Sequence, residues 1–136
     1  MIKTEPMFTD GGPLSKVLQD WEPRQQQVEM AEAVANALES KGQLLVEAGT
    51  GVGKSFGYLV PAIRRIVDHG ETVVVSTNTI TLQEQIVQHD APILQVDLKH
   101  GLRMGKFRRS SLKICADLFE DLFAFRPMRD VYKIRP

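Results

Sequence analysis

Apolar positions in the first hundred residues alternate between a helical period and short continuous runs. Between Pro23 and Gly42 they recur every three or four residues, which predicts an amphipathic helix that begins at Pro23 and ends before Gly42. The runs "QLLVE" and "TVVVS" (Thr72–Ser76) are short and apolar, as buried strands are. A second helix is predicted between them, from about Lys54 to Asp68. This order of elements predicts an α/β fold with a parallel sheet.

The pattern is weaker after the second predicted strand. A helix is expected from about Ile80 to His89, then a weak third strand in "ILQVDL". Helical period returns only over Leu112–Phe125, where one face would carry Cys115, Leu118, Phe119, Leu122 and Phe123. Parallel sheets usually have about five strands, so these runs predict an incomplete sheet. The positions expected to face inward in the two long helices are Val28, Ala31, Val34, Ala35, Leu38, Tyr58, Ala62, Ile63, Ile66 and Val67.

Charge and pattern together predict three segments. Residues 1–22 are expected to be a loop with at most one helical turn, residues 23–98 a partial domain, and residues 99–136 a basic tail of uncertain structure. Residues 1–97 hold 7 Lys and Arg against 13 Asp and Glu, a net charge of −6, and residues 98–136 hold 10 against 4, a net charge of +6. Basic tails can bind nucleic acid, and a solvated surface is the alternative.

Composition excludes several kinds of site and location. The single cysteine, Cys115, cannot form an internal disulfide or a cysteine-rich metal site. The three histidines lie far apart, without the spacing of metal ligands. No apolar run approaches the ~20 residues that span a bilayer, and the first residues lack the apolar core of a signal peptide. A cytoplasmic protein without membrane contact is therefore expected.

The stretch "VEAGTGVGKS" places a flexible loop between the first strand and the second helix, and the loop ends in Gly-Lys-Ser. This arrangement is the phosphate loop of P-loop NTPases. Lys54 should reach the β- and γ-phosphates, and the Ser55 hydroxyl should hold Mg²⁺. The first position is Ala48 where the pattern has glycine, and the alternative is a glycine-rich turn that ends in Lys-Ser by chance. The residues expected to bind nucleotide here are Ala48, Gly49, Thr50, Gly51, Val52, Gly53, Lys54 and Ser55.

Three segments in order resemble the DinG/XPD-type superfamily 2 DNA helicases. "EAGTGVGKSFGYLVPAI" is similar to their motif I, "VVVSTNTITLQEQI" to their motif Ia, and "EPRQQQVEMAEAVANAL" to the segment upstream of motif I. The resemblance implies an incomplete RecA-like helicase domain 1, the use of ATP and Mg²⁺, and a role as the N-terminal part of a 5′–3′ DNA helicase.

The resemblance also implies roles for residues outside the loop. Gln27 would recognise the adenine edge, since an amide both donates and accepts hydrogen bonds, and Arg24 would support the nucleotide. The alternative for both is a polar surface on an amphipathic helix. The residues expected to contact single-stranded DNA are Thr77, Asn78, Thr79 and Gln83, with Gln85 nearby. Their alternative role is helix capping by Thr79 or Asn78.

Several parts of a helicase are not found in the sequence. The only adjacent acidic pair, Glu120-Asp121, has helical surroundings rather than the apolar strand that carries the Mg²⁺ carboxylates in this family. No second RecA-like domain follows, and one cysteine cannot hold the iron–sulfur cluster of many relatives. A truncated helicase fragment, inactive alone, is therefore expected. The alternatives are a non-catalytic nucleotide- or DNA-binding module and a small kinase, for which no acceptor-site or lid residues are found.

Overall fold

Two short helices precede the first predicted helix in the computed structural model, which describes residues 4–94, 112–116 and 130–133. They are α1 (Glu5–Phe8) and α2 (Pro13–Val17), each with a proline in its first turn. Met7, Phe8 and Leu14 are buried and belong to the main apolar core. Residues 4–22 thus contain more helix than the single turn that was predicted, because apolar packing holds helices too short to show a period.

The two long helices, α3 (Gln25–Ser40) and α4 (Lys54–His69), confirm the predicted helical segments and pack against each other. Helix α3 begins two residues after Pro23, because Arg24 is extended at the N-cap (φ −124°, ψ 115°). It ends at Lys41, whose left-handed conformation (φ 52°) takes the capping role that glycine often has.

Helix α4 is buried on more than the predicted face. Ala62, Ile63 and Ile66 are buried as expected, but so are Leu59 and Val60. The helix packs against α3 on one side and against a strand on another, which explains burial around most of its circumference. The core cluster contains Met7, Phe8, Leu14, Ala31, Leu59, Val60, Ile63, Ile86 and Leu94.

Four strands form two parallel pairs. The predicted strands are present as β1 (Leu44–Glu47) and β2 (Val73–Thr77), and two more follow as β3 (Leu112–Ala116) and β4 (Asp130–Lys133). Strand β1 pairs with β4, and β2 pairs with β3, both in parallel. Within the described residues no ladder joins the two pairs, so a single parallel sheet remains a prediction.

The predicted helix over Leu112–Phe125 is wrong in its first part, because Leu112–Ala116 is strand β3. Cys115 therefore lies opposite Ser76 in the ladder and not on an amphipathic helix. A short apolar run fits either period, and here pairing with the exposed edge of β2 decides. The other residues of the predicted helix face, and the Glu120-Asp121 pair, lie outside the described residues.

The helix after β2 runs farther than predicted. Helix α5 (Ile80–Gln85) continues as a π-helical segment (Ile86–Asp90), and the chain stays helical through residue 94. Ile93 and Leu94 are thus helical, which corrects the start of the weak strand "ILQVDL"; its later residues lie outside the described ranges. Leu94 is fully buried, so core packing outweighs its modest strand pattern. In the part of the chain that the structure describes, no helix is long and apolar enough to cross a membrane.

An ion pair joins the end of α4 to the start of β2. Arg65 donates from Nε to Glu71 Oε2 at 2.8 Å and from Nη2 to Oε1 at 2.9 Å, in a bidentate geometry. The Arg65 side chain is only 9% exposed, and the Glu71 side chain is 49% exposed. The hydrogen bonds from Arg65 lower the pKa of Glu71 and raise that of Arg65.

We expect Glu71→Gln to lower the melting temperature at neutral pH, because it leaves the mostly buried Arg65 without its anionic partner. A carboxyl whose pKa is lowered by folding stabilises the protein above its unfolded pKa, and this contribution is lost as pH falls through the folded pKa. The difference between wild type and variant should therefore shrink in the acidic range. Thermal unfolding by circular dichroism at several pH values measures it. Glu84→Gln, at an exposed site, is the control; a pH-independent difference would contradict this role.

Candidate nucleotide-binding site

The loop between β1 and α4, residues 48–53, has the backbone conformation that its glycines permit. Gly51 and Gly53 have positive φ angles of 80° and 78°. Side chains other than glycine pay about 1–2 kcal/mol in this region. Gly53 is the N-cap of α4, so the loop leads directly into the positive end of that helix.

Two side chains from the segment before α4 bind carbonyl oxygens of this loop. Arg24 Nη1 donates to the Gly51 carbonyl. Gln27 Nε2 donates to the Gly53 carbonyl at 2.8 Å, an oxygen that also accepts the N–H of Gly57. Arg24 and Gln27 lie three residues apart at the start of α3, so both reach the loop from one side. The structure thus brings both predicted residues to the loop, where they hold its backbone.

Lys54 folds back over the start of the loop. Its Nζ donates to the carbonyls of Ala48 and Gly49, at 3.1 Å and 2.5 Å, and the side chain stays exposed. Together with Arg24 and Gln27 it binds the carbonyls of four loop residues. These contacts orient the peptide planes with their oxygens toward the protein's own donors.

The loop's N–H groups remain available as donors. Among the described residues, no backbone-to-backbone hydrogen bond outside helices and strands uses the N–H groups of residues 49–53. Thr50 is exposed and Val52 is half-buried. Free N–H groups at a helix N-terminus fit an anion such as phosphate.

A cavity of about 200 Å³ lies beside Gln27 and Gly53. Gln27 is 3% exposed, and its Oε1 is buried without a hydrogen-bond partner. The indole Nε1 of Trp21, which also lines the cavity, is in the same situation. An unpaired acceptor and an unpaired donor fit the polar edge of a nucleobase. The sequence reasoning missed Trp21; its only signal is that the chain's single tryptophan lies three residues before Arg24.

Ser55 lies in a polar cluster at the first turn of α4. Tyr58 and Asp90, which comes from the π-helical segment, lie near its hydroxyl, which lowers the pKa of both groups against the larger effect of burial. Burial raises the pKa of Asp90, and the nearby Ser55 hydroxyl and the hydrogen bond from Gln85 oppose this effect. Burial also raises the pKa of Tyr58. The prediction missed Asp90, because it searched for two adjacent acids on a strand.

Hydroxyl and carboxylate oxygens suit Mg²⁺, a hard cation that usually binds one or two protein groups together with substrate phosphates. Within the described part of the chain, no group of three or more His, Cys, Asp or Glu residues could hold a metal ion by itself. The residues present therefore fit a Mg²⁺ ion that is bound together with nucleotide phosphates.

The predicted DNA-contact residues lie from the end of β2 into α5. Thr79 Oγ1 accepts from the N–H of Leu82 at 3.2 Å, which confirms the helix-capping role. Thr77 is 4% exposed and donates to the Thr79 carbonyl at 3.1 Å. Asn78 is exposed at the end of β2, and Gln83 is half-buried on α5. Of these residues, Asn78 is the best placed to meet a partner, whereas Thr77 supports the turn from inside.

Comparison with known proteins now identifies the family. The family model described as DEAD/DEAH box helicase matches residues 27–116, well over half of the chain. The chain belongs to the DEAD/DEAH box helicase family. Membership implies a P-loop, RecA-like fold and the use of ATP and Mg²⁺. The match includes the stretch "EAGTGVGKS", for which the phosphate-loop role of the individual residues stays a prediction.

Curated relatives confirm the predicted likeness to DinG-type helicases. The ATP-dependent helicase DinG of Mycobacterium tuberculosis is 53% identical over 85 residues, which are 62% of this chain and 13% of the relative. The ATP-dependent DNA helicase YoaA of Haemophilus influenzae is 32% identical over 118 residues, 87% of this chain and 18% of the relative. The 3'-5' exonuclease DinG of Bacillus subtilis is 32% identical over 109 residues, 80% and 12% respectively. The chain spans less than a fifth of each of these relatives.

We expect Gly53→Ala to destabilise the protein by about 1–2 kcal/mol, because alanine is strained at a positive φ. The new Cβ would also collide with the Gln27 side-chain amide and displace it from the Gly53 carbonyl. Urea unfolding followed by circular dichroism measures the change. Gly49→Ala is the matched control, since nothing lies within 4 Å of a Cβ there and φ is not positive. Equal stabilities of the two variants would contradict the described loop conformation.

Proposed function

We propose that this chain is the ATP-binding, single-stranded-DNA-contacting part of a DinG-like 5′–3′ DNA helicase. The observation that carries the proposal is the phosphate loop, in which side-chain donors bind four carbonyls while the intervening N–H groups stay available. Family membership supports ATP as the ligand, and the names of the curated relatives support a nucleic-acid substrate.

Different groups of the loop and of α4 bind different parts of Mg·ATP. The N–H groups of residues 49–53 and the N-terminus of α4 bind phosphate oxygens. Lys54 exchanges two carbonyl contacts for contacts with phosphate oxygens, which are stronger because both partners are charged. The Ser55 hydroxyl contributes one oxygen to Mg²⁺. When bound, Mg²⁺ would supply positive charge that offsets the negative charge of the phosphates.

The cavity beside Gln27 supports adenine recognition. Gln27 Oε1 lacks a partner and can accept from the exocyclic amine of adenine, while Nε2 keeps its bond to the loop. Guanine has a carbonyl at the corresponding position and would meet that oxygen with another acceptor. Trp21 and Phe56 supply apolar surface around the base. Arg24 acts indirectly, through Gly51.

The DNA contact is assigned to the turn between β2 and α5. Asn78 is exposed at the carboxyl end of a parallel strand, where ligands of α/β sheets bind. The first N–H groups of α5 add donors for a phosphate; Thr79 and Gln83 flank them. Thr77 contributes by holding the Thr79 carbonyl.

We further propose that residues 23–98 belong to a partial RecA-like domain in which the two parallel strand pairs lie in one sheet. Residues 99–136 supply β3 and β4 to it.

The chain carries no iron–sulfur cluster, since it has one cysteine, and a cytoplasmic location suits a DNA substrate. The 136-residue chain by itself is proposed to bind ATP without turnover, since the one adjacent acidic pair of its sequence, Glu120-Asp121, has surroundings with a helical period rather than an apolar run.

Lys54→Ala should weaken Mg·ATP binding about ten- to hundredfold, because it removes a charge-assisted contact of roughly 1.5–3 kcal/mol. Isothermal titration calorimetry on the purified chain measures both affinities. Lys16→Ala, an exposed lysine on α2, is the control. Equal affinities of wild type and Lys54→Ala would contradict the phosphate role.

The same titrations with Mg·GTP should show weaker binding by the wild type, and equal affinities for both nucleotides would contradict the role of Gln27.

Asn78→Ala should weaken binding of a labelled oligo-dT strand by about tenfold or more, the value of one hydrogen bond to a charged group. Fluorescence anisotropy at low salt is the measurement. Asn36→Ala, an exposed asparagine on α3, should bind like the wild type.

Phosphate release in these samples tests the absence of turnover. We expect no release above background with or without the strand. Turnover near 1 s⁻¹, in the usual range of enzymes, that disappears in Lys54→Ala would show that the chain is an active ATPase. In the anisotropy experiment, a signal from the labelled strand that does not change at any concentration of the wild-type chain would contradict the DNA contact.

A further inference from the structure

The cavity beside Gln27 contains a hydrogen-bond donor to which the proposed function gives no partner. The indole Nε1 of Trp21 is buried, and among the described residues it has no hydrogen-bond partner. An indole N–H can only donate, so it requires an acceptor. Nearly all buried polar groups in folded proteins are hydrogen bonded, so this unpaired donor calls for an explanation.

Trp21 is held in place by the local backbone and by packing. Helix α2 ends at Val17, and Asp20, in the left-handed conformation (φ 60°), turns the chain just before the indole. The indole stacks on the ring of Phe8 with an interplanar angle of 29°, and it packs against the apolar core. A ring that is fixed in this way gives its N–H a fixed direction.

Gln27 lines the same cavity, and its amide has one orientation that satisfies the loop. The Gly53 carbonyl is an acceptor, so Nε2 must face it, at 2.8 Å, and Oε1 cannot. Oε1 is therefore directed away from that carbonyl, and within the described part of the chain it too has no partner. The cavity thus offers one fixed acceptor and one fixed donor, from two residues six positions apart.

The size and charge of the cavity fit a nucleobase better than a phosphate. Its volume of about 200 Å³ is below the range of about 300–1,000 Å³ that is typical of pockets for whole drug-sized ligands. Asp20 and Glu22 also line the cavity, and their carboxylates repel phosphate. Gly53 borders the cavity and is the N-cap of α4, so a base bound here can be joined to phosphates at the loop.

Adenine carries the complementary pair of groups. Its exocyclic amine donates, and the ring nitrogens N1 and N7, one on each side of that amine, accept. Guanine has a carbonyl in place of the amine, which would meet Oε1 with a second acceptor. At N1 guanine carries a hydrogen, which would meet the indole with a second donor. An acceptor and a donor together therefore distinguish adenine more sharply than Gln27 does alone.

We propose that Trp21 is a specificity-determining residue whose indole N–H donates to a ring nitrogen of adenine, N1 or N7, while Gln27 Oε1 accepts from the adjacent amine. This inference rests on the proposed binding of ATP at the phosphate loop. It adds a second polar contact to the base, and it gives the tryptophan a role beyond the apolar surface that it provides.

ATP analogues that each lack one ring nitrogen test this contact. The purified chain is titrated calorimetrically with the Mg²⁺ complexes of ATP and of its 1-deaza, 7-deaza and 3-deaza analogues, in which a C–H replaces the nitrogen. Either the 1-deaza or the 7-deaza analogue should bind about tenfold more weakly than ATP, because it leaves the buried indole donor unpaired. The 3-deaza analogue is the control and should bind like ATP, because N3 lies on the side of the base away from the amine.

Two variants separate the hydrogen bond from packing. Trp21→Phe keeps an aromatic ring beside Phe8 and removes the donor, so it should bind ATP and the sensitive analogue with equal affinity. Phe56→Leu changes the apolar lining of the cavity without removing a polar group, so it should weaken all four nucleotides alike.

Nuclear magnetic resonance observes the indole directly. Trp21 is the chain's single tryptophan, so the ¹⁵N-labelled wild type has one indole N–H resonance. Saturating Mg·ATP should move its proton signal downfield, as a new hydrogen bond does, and the sensitive analogue should move it less. This measurement and the wild-type titrations require no variant, so they decide the question even if Trp21→Phe does not fold.

Each contrary outcome has a separate meaning. If the wild type binds ATP and all three analogues with equal affinity, the inference is overturned and the proposed nucleotide site stands. If Trp21→Phe still discriminates against the sensitive analogue as the wild type does, another group contacts that nitrogen, which also overturns the inference. Failure of the wild type to bind ATP or any analogue would instead refute the proposed nucleotide site.

Discussion

Side-chain donors that bind the carbonyl oxygens of the phosphate loop are the interaction on which the rest of the site depends. A loop with two left-handed glycines obtains few hydrogen bonds from regular secondary structure. Arg24 and Gln27 supply donors from α3, and Lys54 supplies one from α4. Fixing the oxygens also fixes the opposite ends of the same peptide planes, so the direction of the N–H groups follows from these contacts.

This arrangement requires α3 and α4 to lie close together. Gly57 makes the approach possible, because a Cβ there would lie 3.0 Å from Sδ of Met30 on α3. Helix α1 also packs against α3, and Phe8 of α1 stacks on Trp21 with ring centroids 6.4 Å apart. Packing between the helices thus fixes the positions of Arg24, Gln27 and Lys54, and these donors fix the conformation of the loop. A substitution that disturbs the contact between α3 and α4 is therefore expected to weaken nucleotide binding, even where the substituted residue is not a binding residue.

The strongest sequence signals were those in which one local pattern determines the geometry. The loop, both long helices and the cap by Thr79 belong to this group. Strand β3 could not be predicted, because its pairing with β2 depends on residues almost forty positions away. Helices α1 and α2 are shorter than two turns and show no period. Asp90 lies at the end of a π-helical segment, which the 3.6-residue period used to predict the helix does not indicate.

The folded-back position of Lys54 means that two carbonyls of the loop compete with any ligand for its ammonium. Any anion that enters must offer the ammonium more than the two carbonyls already do. A weakly charged or strongly hydrated anion gains little by displacing them, whereas a polyphosphate offers several charged oxygens at once. Under the proposed function, Lys54 would therefore select ligands by their charge as well as contact them. A single side chain would in this way favour a nucleoside triphosphate over simple anions.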